Sequence, residues 1–153
     1  MLEEGHSNSV VSVAIQGRKA VSESWDTIVR IWDLDDIIEK SIVLEGHSSL
    51  VNSVAIQDNK VVSGSCDQTV RIWDLEDSKA EPIVLDCHSD YVNSIAIQGS
   101  TMVSWSNDKT IRIWDLDDLK AESIALDVHS DVVSSVIIQD NKVVSGSGDK
   151  TIR

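Results

Sequence analysis

The sequence predicts an all-β chain built from tandem four-stranded antiparallel meanders. Three observations carry this: a 41-residue period, four short β-type runs in each period, and a two-residue turn of Gly, Asp, Asn, Arg or Ser between the first two runs. His6, His47, His88 and His129 stand 41 residues apart, and Trp32, Trp73 and Trp114 follow at the same interval. So do Gln16, Gln57, Gln98 and Gln139, and so do Asp26, Asp67, Asp108 and Asp149. A period held over four copies is one supersecondary unit, copied and stacked, each copy burying its apolar face on its neighbours. The copies run 5–45, 46–86, 87–127 and 128–153, the last incomplete, and form a single repeat domain.

The second copy shows the elements in order. Val51 to Ile56 alternates apolar residues, as a half-buried strand does. The runs from Lys60 to Ser65 and from Thr69 to Leu75 are rich in β-branched residues, and Ile83-Val84-Leu85 makes a fourth strand. Pro82 opens that last run, where a missing N–H is tolerated at a strand start or outer edge. Between the first two runs stand Gly17-Arg18, Asp58-Asn59, Gly99-Ser100 and Asp140-Asn141, suited to primed hairpin turns with positive φ. No helix of ordinary length fits between these strands.

Gly46-His47, then Val61 to Asp67 (VVSGSCD), then Thr69 to Asp74 (TVRIWD) resemble the full WD-repeat signature in order and spacing. Gly5-His6 keeps the Gly-His pair, which becomes Cys87-His88 and Val128-His129 in later copies. The resemblance covers the whole chain. It implies a β-propeller of four-stranded blades around a channel, with about 3.7 blades here. It further implies a series of hydrogen bonds through the entry-loop His, a second-strand Ser, the turn Asp and the third-strand Trp. Carried over, these are His6, Ser22 or Ser24, Asp26 and Trp32; then His47, Ser63 or Ser65, Asp67 and Trp73. The third copy gives His88, Ser104 or Ser106, Asp108 and Trp114, and the fourth His129, Ser145 or Ser147, and Asp149. The propellers of F-box-type ubiquitin-ligase receptors share the short first hairpin ahead of "VSGS-x-D", which gives a receptor role as an alternative.

A His–Ser–Asp set also matches a catalytic triad in composition. Its presence in every copy argues for structure, since an enzyme needs one nucleophile in one pocket. The chain has no P-loop, no Gly-x-Ser-x-Gly and no metal-ligand cluster, so no enzyme, cofactor or metal site is expected. Formal net charge is −13, with 26 Asp and Glu against 13 Lys and Arg, which disfavours nucleic acid and anionic membrane as partners. A basic protein or peptide is the partner that such a field favours; the same charge also serves solubility. Cys66 and Cys87 show no paired spacing, no apolar run reaches membrane-span length, and the acidic start is no signal peptide. A cytoplasmic setting is expected, with the nucleus left open.

A meander places first and third turns on one face, and second turns with blade-to-blade loops on the other. The first face carries Asp33, Asp35, Asp36 and Glu39, with Asp74, Glu76, Asp77, Glu81, Asp115, Asp117, Asp118 and Glu122 in later copies. Lys40, Lys79 and Lys120 offset them, and no EF-hand spacing is present, so this reads as a solvated acidic rim. The opposite face varies between copies and is where the resemblance implies peptide binding. Its candidates are Trp25, Gln68, Asp90, Tyr91, Asn107 and Asp131. Trp25 is read either as a solvent-facing anchor or as packing on the next blade. Glu23 and Trp105, at the position of Gly64, read as drift in a weakly constrained slot.

The sequence stops after Thr151-Ile152-Arg153, before the fourth Trp position. A closed ring needs more blades, so either the chain is a piece of a longer propeller, or copies associate, for instance two making eight blades. The incomplete seam favours the first reading. A truncated array without a function of its own is the third alternative for function. Open blade edges and faces predict association of some kind over a stable monomer.

Overall fold

The period seen in the sequence becomes a succession of small twisted sheets. The computed structural model describes residues 5–36, 41–77, 79–120, 122–140 and 142–153. The first copy folds into β1 (Val10–Gln16), β2 (Lys19–Ser24), β3 (Val29–Asp33) and β4 (Ile42–Leu44). The second gives β5 (Val51–Gln57), β6 (Lys60–Ser65), β7 (Thr69–Asp74) and β8 (Ile83–Asp86). The third gives β9 (Val92–Gln98), β10 (Thr101–Ser106), β11 (Ile111–Asp115) and β12 (Ile124–Leu126). β13 (Val133–Gln139) and β14 (Lys142–Ser147) form the fourth sheet, where Ile152 bridges to Gly146 at the start of a third strand. Within each sheet the strands pair antiparallel in sequence order, giving propeller blades.

The hairpin joining the first two strands keeps the expected two-residue loop, with positive φ at its first residue. Gly17, Asp58, Gly99 and Asp140 take positive φ, between 48° and 58°, while Arg18, Asn59 and Ser100 do not. In the first three turns only the first residue is left-handed, and Asn141 of the fourth lies outside the described residues. A second set of positive φ values falls on Thr27, Gln68, Lys109 and Lys150, each directly after the turn Asp.

Every inner strand carries a bulge that the alternation did not reveal. Register slips between Val10 and Ser12, between Val51 and Ser53, between Trp105 and Ser106 opposite Asn93, and between Val133 and Ser135. The extra residue is Val11, Asn52, Asn93 or Ser134, and the bulge re-aims it. Asn52 donates to the Val92 carbonyl of the next blade at 2.9 Å, and Asn93 donates to Asn107 at 2.8 Å.

The core is not inside a blade but between blades. Inner strands lie side by side, β1 on β5, β5 on β9 and β9 on β13. One apolar cluster joins Val21, Val29 and Ile31 of blade 1 to Val51, Val54 and Trp73 of blade 2. The second joins Val62, Val70 and Ile72 to Val92, Ile95 and Trp114. The third joins Val103 and Ile111 to Val133 and Val136. Each blade therefore has a trailing face, presented to the next blade, and a leading face, presented to the previous one.

Glu23 and Trp105 correct an expectation. Their slot lies on the trailing face, and it is tightly occupied rather than weakly constrained. A Cβ added to Gly64 would stand 2.6 Å from Val92 Cγ1. Trp105 is buried in the cluster with Val133 and Val136, and Glu23 is fully buried.

Candidate functional site

The second turn of each blade is bonded to the loop that enters it. The backbone N–H groups of Trp25, Cys66, Asn107 and Gly148 donate to the carbonyls of Ser9, Leu50, Tyr91 and Val132. This stitches the variable loops into one face. Leu34, Leu75 and Leu116 tie the third turns to the first on the opposite face in the same way.

Beneath that loop face the four hydrogen-bonded networks are laid out alike. His Nδ1 meets the turn carboxylate at 3.0, 2.7, 2.8 and 2.9 Å in copies one to four. His Nε2 meets Ser22, Ser63, Ser104 or Ser145 at 2.8, 2.6, 2.9 and 2.8 Å. Trp32 and Trp114 donate their indole N–H to the same hydroxyls, Ser22 and Ser104, at 2.7 and 3.3 Å. Trp73 meets His47 edge-on, with ring centres 5.8 Å apart. The indole is a pure donor and the carboxylate a pure acceptor, so one order of donation satisfies the chain. Indole N–H donates to Ser, Ser O–H donates to His Nε2, and His Nδ1–H donates to Asp. Burial pushes His88 below the ordinary imidazole range, against the opposing effect of Asp108, in keeping with a neutral ring.

The second serine of each second strand has a different role. Ser65, Ser106 and Ser147 donate to the entry-loop carbonyls of Leu50, Asp90 and Asp131 at 2.8, 3.0 and 3.0 Å. With Ser24, they accept the backbone N–H of the turn Asp at 3.0–3.1 Å. The network Ser and the turn Ser are thus distinct positions.

The turn carboxylates are held ionised. Burial alone would raise Asp67, and the hydrogen bonds from His47 and Thr69 outweigh it, so its pKa lies well below the usual range. Against burial, Asp108 is lowered in the same way, and Asp26 chiefly by the backbone N–H groups of Ser7 and Ile28, with His6 adding to them. For Asp149 the Thr151 hydroxyl is the main cause, with His129 adding to it. Thr69, Thr110 and Thr151 donate to these carboxylates at 2.6, 2.7 and 2.6 Å, a role absent from the sequence reading. Its signal is an Asp-x-Thr in three copies; the first copy has Ile28 there.

The Ser–His–Asp connectivity is that of a hydrolytic triad, but its setting is not. Ser63 and Ser104 are fully buried, and Ser104 Oγ already accepts an indole proton. A nucleophile enclosed in this way has no face on which to meet a carbonyl carbon.

Above the networks lie the candidate binding residues. Trp25 is 45% exposed and Tyr91 48%, which answers the question over Trp25 in favour of the solvent-facing reading. Leu50 and Val132 are exposed at the entry-loop position of Tyr91. Gln68 is exposed, Asn107 half-buried, Asp90 half-buried and Asp131 exposed. Asp90 and Asp131 also cap their own loops, since each Oδ1 accepts the next backbone N–H, from Tyr91 at 2.7 Å and Val132 at 2.8 Å. Asn8 does the same for Ser9 at 2.8 Å.

On the opposite face the acidic rim is partly a turn device. Asp33, Asp74 and Asp115 accept the N–H groups of Asp35, Glu76 and Asp117 at 2.8–2.9 Å. Arg18 pairs with Asp35. Glu39 and Lys40 lie outside the described residues. No helix among the described residues is long and apolar enough to cross a membrane.

Comparison with known proteins agrees with this geometry. The chain is similar to the crystal structure of the computationally designed Ika4 protein, at 29% identity and a TM-score of 0.86, over 98% of this chain and 92% of that one. It is also similar to the computationally designed Ika8 protein, at 30% identity and a TM-score of 0.86, over 97% of this chain and 46% of that one. It therefore spans just under half of the longer design. No curated protein matches in sequence. The family model described as WD domain, G-beta repeat matches residues 2–33, 39–74 and 81–115, more than half of the sequence. The chain belongs to the WD40 repeat family.

Proposed function

We propose that this chain is a non-catalytic interaction module that holds a Lys- or Arg-bearing peptide across its loop face. The observation that carries the reading is the arrangement of Trp25, Leu50, Tyr91 and Val132. These apolar side chains are exposed on one face, over a rigid hydrogen-bonded base, beside Asp90 and Asp131. Aromatic anchors of this kind dominate binding energies, and neighbouring carboxylates select cationic partners. The net charge of −13 adds long-range attraction for the same class of ligand.

A substrate receptor of an F-box-type ubiquitin ligase is the alternative. A phosphopeptide pocket in such a receptor wants planar bidentate Arg groups. On the loop face the structure offers Lys109 and Lys150 beside the turn aspartates, and the acidic entry loops oppose a phosphate.

The test is calorimetric titration of Lys- and Arg-containing peptides against Asp90→Asn and Asp131→Asn. Asn8 shows that an amide at this position keeps the backbone cap, so folding is preserved while the charge is removed. The double variant is expected to bind a basic peptide roughly 10-fold more weakly, about 1.4 kcal/mol. Unchanged affinity would refute the basic-peptide reading.

A further inference from the structure

Two exposed apolar residues of the loop face, Trp25 and Leu50, stand over the contact between blades 1 and 2. Trp25 lies two residues after Glu23 at the end of β2, and Leu50 lies one residue before Val51 at the start of β5. Glu23 and Val51 are both fully buried. In the next contact Gly64 faces Val92 and Ile95, and in the one after it Trp105 packs with Val133 and Val136. By the repeat, Glu23 faces Val51 and Val54. The second-strand residue at each of these seams therefore bears on the start of the next inner strand, just below Leu50, Tyr91 or Val132.

Only the seam between blades 1 and 2 has an acid at this place. Gly64 brings no side chain to its contact, and Trp105 brings no charge. Neither carboxyl oxygen of Glu23 has a hydrogen-bond partner among the described residues. The strands packed on β2 are β1, β3 and β5. β1 and β5 contain no titratable residue. On β3, Val29 and Ile31 share the seam, so Arg30 points to the other face, where it donates to Ser41, and Asp33 stands at the far end of the strand. The charge that acts on Glu23 is that of Asp26, whose carboxylate is taken up by His6 and by the N–H groups of Ser7 and Ile28.

A proton keeps the Glu23 carboxyl neutral and lets the two blades close on it. An unpaired carboxylate in the same place draws in water, and water reaches it only where β2 parts from β5. The turn moves with the end of β2 as one piece, because Ser24 accepts the N–H groups of Asp26 and Thr27 and Trp25 N–H is bonded to Ser9. Parting the strands therefore changes the spacing of Trp25 and Leu50.

We propose that Glu23 is a proton-operated latch beneath the loop face. Protonated, it closes blade 1 on blade 2 and holds Trp25 and Leu50 at the spacing that grips a peptide; ionised, it parts them and weakens the grip. Burial, with Asp26 adding to it, moves the carboxyl from 4.5 up to about 8 in the closed seam. A raised value means that the closed seam is favoured at low pH and loses ground as pH rises. The effect on binding rests on the loop-face reading given above, whereas the latch itself does not.

The test is calorimetric titration of a capped, Lys-free Arg peptide, whose own charge stays constant, between pH 6 and pH 9. It compares the wild type with Glu23→Gln and with Glu23→Gly, which carries the residue of Gly64 and Gly146 and so repeats a seam the chain already makes. Circular dichroism checks that each variant folds. Wild-type binding is expected to be on the order of 10-fold weaker at pH 9 than at pH 6, following the fraction of protein with the latch protonated, and the variants flat. The same fall in all three proteins overturns the proposal. The Trp25 indole N–H signal, followed by NMR over the same range without peptide, should move in the wild type and stay fixed in the variants. Absence of peptide binding at every pH counts against the loop-face reading alone, and the indole signal then decides the latch. An indole signal that is fixed in the wild type, or that moves alike in all three proteins, overturns it.

Discussion

Glu23 is a carboxyl group buried in the contact between blades 1 and 2, and replacing it with Gln tests that placement. The residue is 0% exposed, and neither carboxyl oxygen has a hydrogen-bond partner among the described residues. By the repeat, its slot faces Val51 and Val54, as Gly64 faces Val92 and Ile95. Burial, with the charge of Asp26 adding to it, pushes its pKa from 4.5 up to about 8. The folded state therefore holds the proton more tightly than the unfolded chain. The contribution to stability is complete below pH 4.5, falls as pH rises toward 8, and is flat above that. At 1.36 kcal/mol per pH unit the displacement sets a ceiling of roughly 5 kcal/mol. Side-chain relaxation and water entry bring the expected loss to roughly 3 kcal/mol. In a chain of this size that corresponds to a Tm change of about 6–12 °C. Urea unfolding followed by tryptophan fluorescence from pH 5 to pH 9 measures it for wild type and Glu23→Gln. The buried amide has its own pH-independent cost, so the difference curve isolates Glu23. The wild type should lose roughly 3 kcal/mol relative to the variant over this range. Parallel curves would refute the placement of an unpaired carboxyl between blades 1 and 2.

Ser104→Ala strands both the Trp114 indole N–H and His88 Nε2, and should cost about 2 kcal/mol in chemical denaturation. Ser106→Ala, which removes only a turn contact, should cost about 1 kcal/mol; equal losses would contradict the separation of the two serine roles. Asp67→Asn tests the acid limb of stability. The Asp67 pKa is depressed by folding, so its contribution is present above the ordinary carboxylate value of 3.8 and is lost as pH falls below it. The variant should be less stable at neutral pH and show a shallower fall on acidification, read by thermal melts at pH 2–6. Gly64→Ala drives a methyl group to 2.6 Å from Val92 and should destabilise by about 1–3 kcal/mol in the same assay; a neutral effect would contradict the tight contact of blades 2 and 3.

The fold was legible because it is repeated. A run such as Val51 to Ile56 is ambiguous alone, but four runs in phase with a Gly or Asp turn leave one arrangement. What stayed hidden has specific causes. Ser63 and Ser65 are two residues apart on one strand and point to the same side, so alternation cannot tell the network serine from the turn serine. The bulges at Val11, Asn52, Asn93 and Ser134 add one residue where apolar and polar types already mix, and composition carries no trace of them. The Gly64 slot was misread although its signal was present: a Gly inside a strand marks close approach of a neighbour. Glu23 and Trp105 then looked like tolerance, when each is a different way of filling the space between blades. The candidate binding positions followed from variation between copies on one face. Their exposure, and the backbone caps made by Asp90 and Asp131, depend on how the entry loops fold over the second turns.

In the proposed function the loop face, and not the acidic rim opposite, binds a basic peptide. Of the five tryptophans, Trp25 stands out at 45% exposed on that face, while Trp73, Trp105 and Trp114 are buried between blades. The most direct measurement is a nitrogen–proton NMR titration with a Lys- and Arg-containing peptide, following the indole signals together with the backbone amides. Shifts are expected at the Trp25 indole and at the amides around Leu50, Gln68, Tyr91 and Asn107, with the amides of Asp35, Glu76 and Asp117 unmoved. Shifts confined to the rim, with the Trp25 indole unchanged, would contradict it.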